Sequence, residues 1–201
     1  MINTDDAPRS LKNPEVRKRR HAMLDRPHMA PLNAYVNSLR RCNLGEVPDF
    51  DPLDGGIHAR ILFLFEKPGP MTAGGRGSGL ISRNNDDPTA EACFRFMAKA
   101  KIARKLTVTW NVIPWWNDTR KITPSELRAG LACLEELIAL LPKLAVVVLV
   151  GNKAGLAKPY VLTSGKKVLV SSHPSPLVRA SYPARWKAIP REWAKATAFL
   201  S

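Results

Sequence analysis

The chain has 201 residues, enough to bury a substantial core, and 45% of them are apolar. Its 31 Lys and Arg against 17 Asp and Glu give a net charge of +14, which favours polyanionic partners, nucleic acid before an anionic membrane surface. No apolar run approaches the roughly 20 residues that cross a bilayer, and the N-terminal "MINTDDAPRS" lacks the apolar core of a secretory signal. The expected class is a soluble, cytoplasmic nucleic-acid protein without membrane contact. Cys42, Cys93 and Cys133 lie far apart and form no C-x-x-C pair. They fit reduced, partly buried thiols better than a disulfide framework or a metal site, and no cofactor or metal is expected.

Residues 1–20, ending in "RKRR" (17–20), read as a basic arm before a single domain over 21–201. The arm is either solvated or in contact with phosphates. Leu32, Tyr35, Val36 and Leu39 recur at helical spacing and predict a helix over 32–42, followed by a turn-rich connection over 45–56. "ARILFLFE" (59–66) reads as a buried strand, and "TAEACFRFMAKAKI" (89–102) as an amphipathic helix capped by Thr89. A second strand follows at 105–114, then a long helix at 123–142 that opens with Thr123 and Pro124. "LAVVVLVG" (144–151) is wholly apolar, as a strand buried on both faces must be. A short helix at 152–158, a fourth strand at 166–172 and a closing helix at 190–200 complete the pattern.

Alternating strands and helices predict an α/β fold: a three-layer α/β/α arrangement around a four-stranded parallel sheet. Ligands of such sheets bind beyond the carboxyl ends of the strands, which singles out the loops at 67–88, 111–122, 151–155 and 173–185. The first is glycine-rich, yet it holds no G-x-G-x-x-G turn opening a helix and no Gly-Lys-Ser/Thr phosphate loop. The second offers Asn111 in an otherwise apolar strand end, with Trp115 and Trp116 either in the core or available as stacking surfaces. The third is Gly151-Asn152-Lys153, and the fourth opens with His173 in "HPSPLVRASYP".

In order and spacing, "EKPGP" (66–70), "GSGLIS" (77–82), "NVIPWW" (111–116), "LVGNKA" (149–154) and "HPSPLVR" (173–179) resemble the motifs of the uracil-DNA glycosylase superfamily. The resemblance covers about residues 58–188 and implies the same four-stranded fold. It also implies hydrolysis of the bond joining a damaged base to deoxyribose, as a monofunctional step in base excision repair, with DNA as partner and the protein as a monomer. On this resemblance His173 hydrogen-bonds the oxyanion that develops on the base, aided by backbone N–H groups at Glu66 and Lys67. Asn111 reads the base edge. Gly69 and the aliphatic Ile81 or Leu80 line the base pocket, where relatives usually place an aromatic ring. Ser175, Lys153, Arg179 and Arg185 contact phosphates, and Leu177 fills the gap left in the stack. The iron–sulfur branches need a cysteine quartet that this chain lacks.

Lys67 departs from the pattern, because several members carry Asp or Asn there to position or activate water. It contacts a phosphate while backbone, Asn84, Asn85 or Asp86 orients the water. Alternatively it is desolvated and acts as a base or amine nucleophile. A third reading makes the enzyme weak, or uracil not its natural base. The expected activity is removal of uracil or a related deaminated base such as hypoxanthine or xanthine. The alternative is a non-catalytic lesion- or DNA-binding protein on the same fold.

Overall fold

Strands that no face exposes to water must be covered on both sides, and the sheet has three of these with a more exposed fourth at its edge. In the computed structural model, which describes residues 5–200, the four are β2 (Ile61–Phe65), β4 (Thr107–Asn111), β5 (Val146–Val150) and β6 (Lys167–Ser171). All neighbours run parallel, in the order β4-β2-β5-β6. Side chains alternate along each strand. Leu62, Leu64, Val108, Trp110, Val147 and Leu149 therefore join one core cluster, and Ile61, Phe63, Val146, Val148 and Val150 the other.

The first cluster is covered by α2 (Ala30–Arg41), α4 (Pro124–Ala139) and α5 (Lys158–Thr163). The second is covered by α3 (Pro88–Lys99) and α7 (Pro183–Ala194), where Trp193 packs tilted on Phe63 with ring centres 4.8 Å apart. The fold is thus three-layered α/β/α. Because β2 lies between β4 and β5, its connection leaves one way through α3 and the next returns the other way through α4. The loops after β2 and β5 accordingly diverge at the switch point where such sheets bind ligands.

Several boundaries differ from the sequence reading, each for a local reason. The cap of α3 is Asp87, not Thr89: one Asp87 carboxylate oxygen accepts from the N–H of Thr89 at 2.7 Å and of Ala90 at 3.3 Å. Pro88, with no N–H to satisfy, takes the first helical position. The segment after His173 is helical rather than a plain loop, with α6 (Pro176–Ser181) capped by Ser175 and α7 beginning at Pro183, well before residue 190. A two-residue parallel pair, β1 (Asp49–Phe50) with β3 (Leu80–Ile81), was too short to leave a periodic signal.

Residues 14–21 form helix α1, so the basic run at 17–20 is ordered; residues 1–4 of the expected arm lie outside the described residues. Arg20 is buried and donates to both carboxylate oxygens of Asp51, at 2.8 and 2.7 Å. Asp51 also accepts from Arg104 and from the Ser82 hydroxyl. Burial alone would raise the Asp51 pKa, but Arg104 and Arg20 outweigh it and hold the carboxylate low. Asn84 joins this network through Arg20 at 3.2 Å, Arg104 at 2.7 Å and the Ala7 carbonyl at 2.8 Å. The N-terminal segment is thereby tied to the loop that leads into α3.

Helix α4 begins with a reciprocal capping box between Thr123 and Glu126. Glu126 also accepts from the Lys67 ammonium at 2.9 Å, and the Lys67 side chain is only 2% exposed. Burial would push the Glu126 pKa up, but the Lys67 hydrogen bond, the Thr123 N–H and Asn117 pull it down to about 2. A carboxylate lowered in the folded state stabilises fully above its ordinary value of about 4.5 and loses that contribution as pH falls towards 2. Glutamine at 126 keeps the capping geometry but strands the buried ammonium, a class of loss worth about 3 kcal/mol. Thermal melts of Glu126→Gln should therefore show a lower Tm than the parent at pH 7, with the gap closing towards pH 2; a constant gap would show that the charge pair contributes nothing.

Candidate active site

A cavity of about 430 Å³ opens at the carboxyl edge of the sheet. Its walls come from the loop after β2 (Phe65–Thr72), the end of β4 (Thr109, Asn111), the 81–87 loop with the start of α3, and the segment His173–Leu177. The parallel register sets Asn111 directly beside Phe65. At the far strand, Ser171 Oγ accepts the Trp193 indole N–H at 2.8 Å and donates to the Ser172 carbonyl at 2.9 Å, which fixes where β6 ends. His173 then stands edge-on to Phe65, with ring centres 5.6 Å apart and planes at 89°.

Gly151 makes this approach possible. Its φ of +89° disfavours any side chain, and a Cβ there would come within 3.2 Å of the His173 Cβ. Burial lowers the His173 pKa below the usual histidine value, assisted by Arg120 and opposed by the carboxylates of Glu66 and Asp87. That direction favours the neutral imidazole. Among the described residues neither ring nitrogen has a hydrogen-bond partner, and the Asn111 carboxamide, on a residue 5% exposed, has none either. Open to the same cavity, the two form a donor–acceptor set suited to a small heterocycle.

The structure sorts the other expected site residues. Glu66, Lys67, Gly69, Ile81, Ser175 and Leu177 line the cavity, whereas Leu80 does not: it is fully buried against Leu11 and Val16 under α1. Adjacent residues on a strand face opposite ways, and here Ile81 takes the cavity side. The three ammonium hydrogens of Lys67 meet the Asn117 side-chain oxygen at 2.6 Å, the Lys121 carbonyl at 3.2 Å and Glu126. That leaves none for a phosphate. Ser175 Oγ accepts from the Val178 N–H at 3.3 Å, so its own hydrogen remains available. Leu177, in the first turn of α6, is 74% exposed.

Lys153 lies 3.6 Å from Glu66, and its ammonium donates to the Arg120 carbonyl at 3.4 Å. Arg179 stacks over Trp186 and Arg185 over Tyr182, each 5.1 Å from the ring centre, outside the cavity wall. Asn84 is consumed by the buried network and Asp86 pairs with Arg9 at 3.3 Å, while Asn85 lines the cavity with its side chain bonded to Ser78 and Leu80. Trp115 belongs to the core.

Among the cavity residues that escaped the sequence reading are Arg83, Asp87, Cys93 and Arg120. Arg83 carries no carboxylate partner among the described residues; one of its nitrogens meets Met97 Sδ at 2.9 Å. Arg120 stands over Gly69, where an added Cβ would lie 3.4 Å from its guanidinium. Asp87 was hidden by the neighbouring Thr89, an equally good cap by composition; the Asp-Pro dipeptide at a helix start was the available signal. No group of three or more His, Cys, Asp or Glu among the described residues is arranged to hold a metal, and none of their helices is long and apolar enough to cross a membrane.

The family model of the uracil DNA glycosylase superfamily matches residues 53–196. The solution NMR structure of a putative uracil DNA glycosylase from Methanosarcina acetivorans aligns at 17% identity and a TM-score of 0.44, over 70% of this chain and 92% of that one. No curated protein gives a significant match to the sequence. The matched span takes in all four core strands together with Lys67, Asn111 and His173, and the chain belongs to the uracil DNA glycosylase superfamily.

Proposed function

We propose that the protein is a monofunctional, monomeric DNA glycosylase that removes uracil or a related deaminated base flipped out of DNA, in cytoplasmic base excision repair. One observation carries this reading: Asn111 and His173, neither with a partner of its own, open on the same cavity at the sheet edge. An enzyme acting on a duplex base must extrude it into such a pocket, at a cost of a few kcal/mol. Leu177, exposed at the cavity mouth, is suited to fill the space left behind.

Once the base is seated, the Asn111 carboxamide offers a donor and an acceptor to its edge. Cytosine presents the opposite pattern to uracil there and would leave buried polar groups unpaired, which is the costly case. As the glycosidic bond breaks, the sugar becomes oxocarbenium-like and the base takes negative charge. A neutral His173 donates a hydrogen bond to the developing oxyanion, with backbone N–H groups at Glu66 and Lys67 as further donors. A preorganised donor of this kind is worth roughly 3–4 kcal/mol. Ser175, Lys153, Arg179 and Arg185, with the net charge of +14, hold the DNA backbone on this side of the molecule. The iron–sulfur branches of the superfamily need four cysteines where this chain has three, and the reading involves no cofactor.

A second reading has specific support. Lys67 occupies the position where several relatives carry a water-activating side chain, and it is locked against Glu126. A lesion-binding protein without turnover would look the same at that residue. On the catalytic reading Lys67 is a positioning residue that anchors the loop after β2 to α4.

Strand breakage at abasic sites after alkali distinguishes the two. Oligonucleotides containing uracil, hypoxanthine or xanthine should break after incubation with the parent protein, and His173→Ala should slow this about 100- to 1,000-fold. Binding without breaks on every lesion would leave only the second reading. Because the His173 pKa is lowered, the rate should be insensitive to pH through about 6.5 and change only below it; an inflection at 6.5 would contradict a buried neutral imidazole. Leu177→Ala should slow base removal from duplexes far more than from single strands. Equal slowing on both would rule out the wedge.

A further inference from the structure

The glycosylase reading leaves the attacking water without an activator, since Lys67 is bound to Glu126 and cannot serve as a base. The loop between β3 and α3 supplies the carboxyl and carboxamide groups nearest in sequence, and most are already engaged. Asn84 lies in the buried network, the Asn85 side chain is bonded to Ser78 and Leu80, and Asp86 is paired with Arg9. Glu66 also lines the cavity and makes no side-chain hydrogen bond among the described residues, with the half-exposed Lys153 ammonium 3.6 Å away. Asp87 is the one of these carboxylates that is both held in place and left with an open oxygen. One of its oxygens is pinned by the Thr89 and Ala90 N–H groups, while the other has no partner among the described residues, and the residue lines the cavity.

Resting on the glycosylase reading above, we propose that Asp87 is the carboxylate that positions and deprotonates the attacking water. The helix cap is what makes it suitable. A carboxylate fixed at one oxygen by two backbone donors loses little further freedom when its second oxygen accepts from water. It caps the start of α3, whereas Asn111 ends β4, so the two reach the cavity from different walls. Glu66 and then Asp87 oppose the fall in the imidazole pKa, and Asp87 and His173 line the same cavity.

In the reaction, the water oxygen bonds to the sugar C1′ as the bond from C1′ to the base nitrogen breaks. The electron pair of that bond leaves with the base, whose charge His173 stabilises. The water proton passes to Asp87 and then to solvent, and the base anion takes up a proton from solvent on release. The products are the free base and an abasic site.

The cap itself provides the control. Asp, Asn and Ser are about equally good N-caps, so Asp87→Asn and Asp87→Ser should melt within a few degrees of the parent. Both should bind lesion DNA with unchanged affinity in fluorescence anisotropy. Single-turnover base release should fall about 100- to 10,000-fold, with Ser at least as slow as Asn because it also loses reach. Folded variants that release base at the parent rate would overturn the assignment while leaving the glycosylase reading intact. A parent protein that releases no base from any lesion would overturn both.

Discussion

Everything at the site depends on the parallel register of four strands. With Phe65 set beside Asn111 and Val150 beside Ser171, the strands end together, and each end delivers its next residues to one edge. Since β2 sits between β4 and β5, the polypeptide leaves this edge in opposite directions and the cavity forms in the gap. β2, β4 and β5 are buried on both faces and hold that geometry, so the polar groups at the strand ends need not stabilise the fold. This frees Asn111 and His173 to face the cavity without partners of their own, and Gly151 is the local concession that lets His173 approach.

Charge in this protein serves two separate purposes. Most of the basic excess is at the surface, where it suits a polyanion. A smaller set is internal: Arg20 and Arg104 around Asp51, and Lys67 with Glu126. Those pairs tie loops to helices and to one another. The Arg20 network holds the stretch from Ser82 to Asn84 through α1 and the residues before it, which lie outside the span matched by the family model. The Lys67 pair holds the loop after β2 to α4. The two walls of the cavity that come from long loops are thus each fastened by an ion pair, while the other two are the end of β4 and the short segment from β6 into α6.

Much of this was legible in the sequence because buried parallel strands leave a strong apolar signal, and the residues that follow them are placed by topology alone. That reasoning set Asn111 and His173 at the sheet edge, where both line the cavity. The misses share a different cause. The fate of Lys67 rests on Glu126, 59 positions away, and nothing local in the sequence announces that partner. Leu80 and Ile81 form a strand too short to show which side faces the cavity. "RKRR" reads as a solvated run because it is charged, yet Arg20 is buried by a carboxylate 31 positions on. Asp87 was masked by a neighbouring threonine that satisfies the same capping rule.

The central claim is that the open groups of this cavity receive a flipped base and release it from the sugar. The most direct measurement is chromatographic detection of free base from DNA carrying a single uracil, hypoxanthine or xanthine, with abasic sites counted in the same sample. The account predicts free base and abasic sites in equal amounts for at least one of these lesions. Tight, lesion-dependent binding with no free base from any of the three would contradict it.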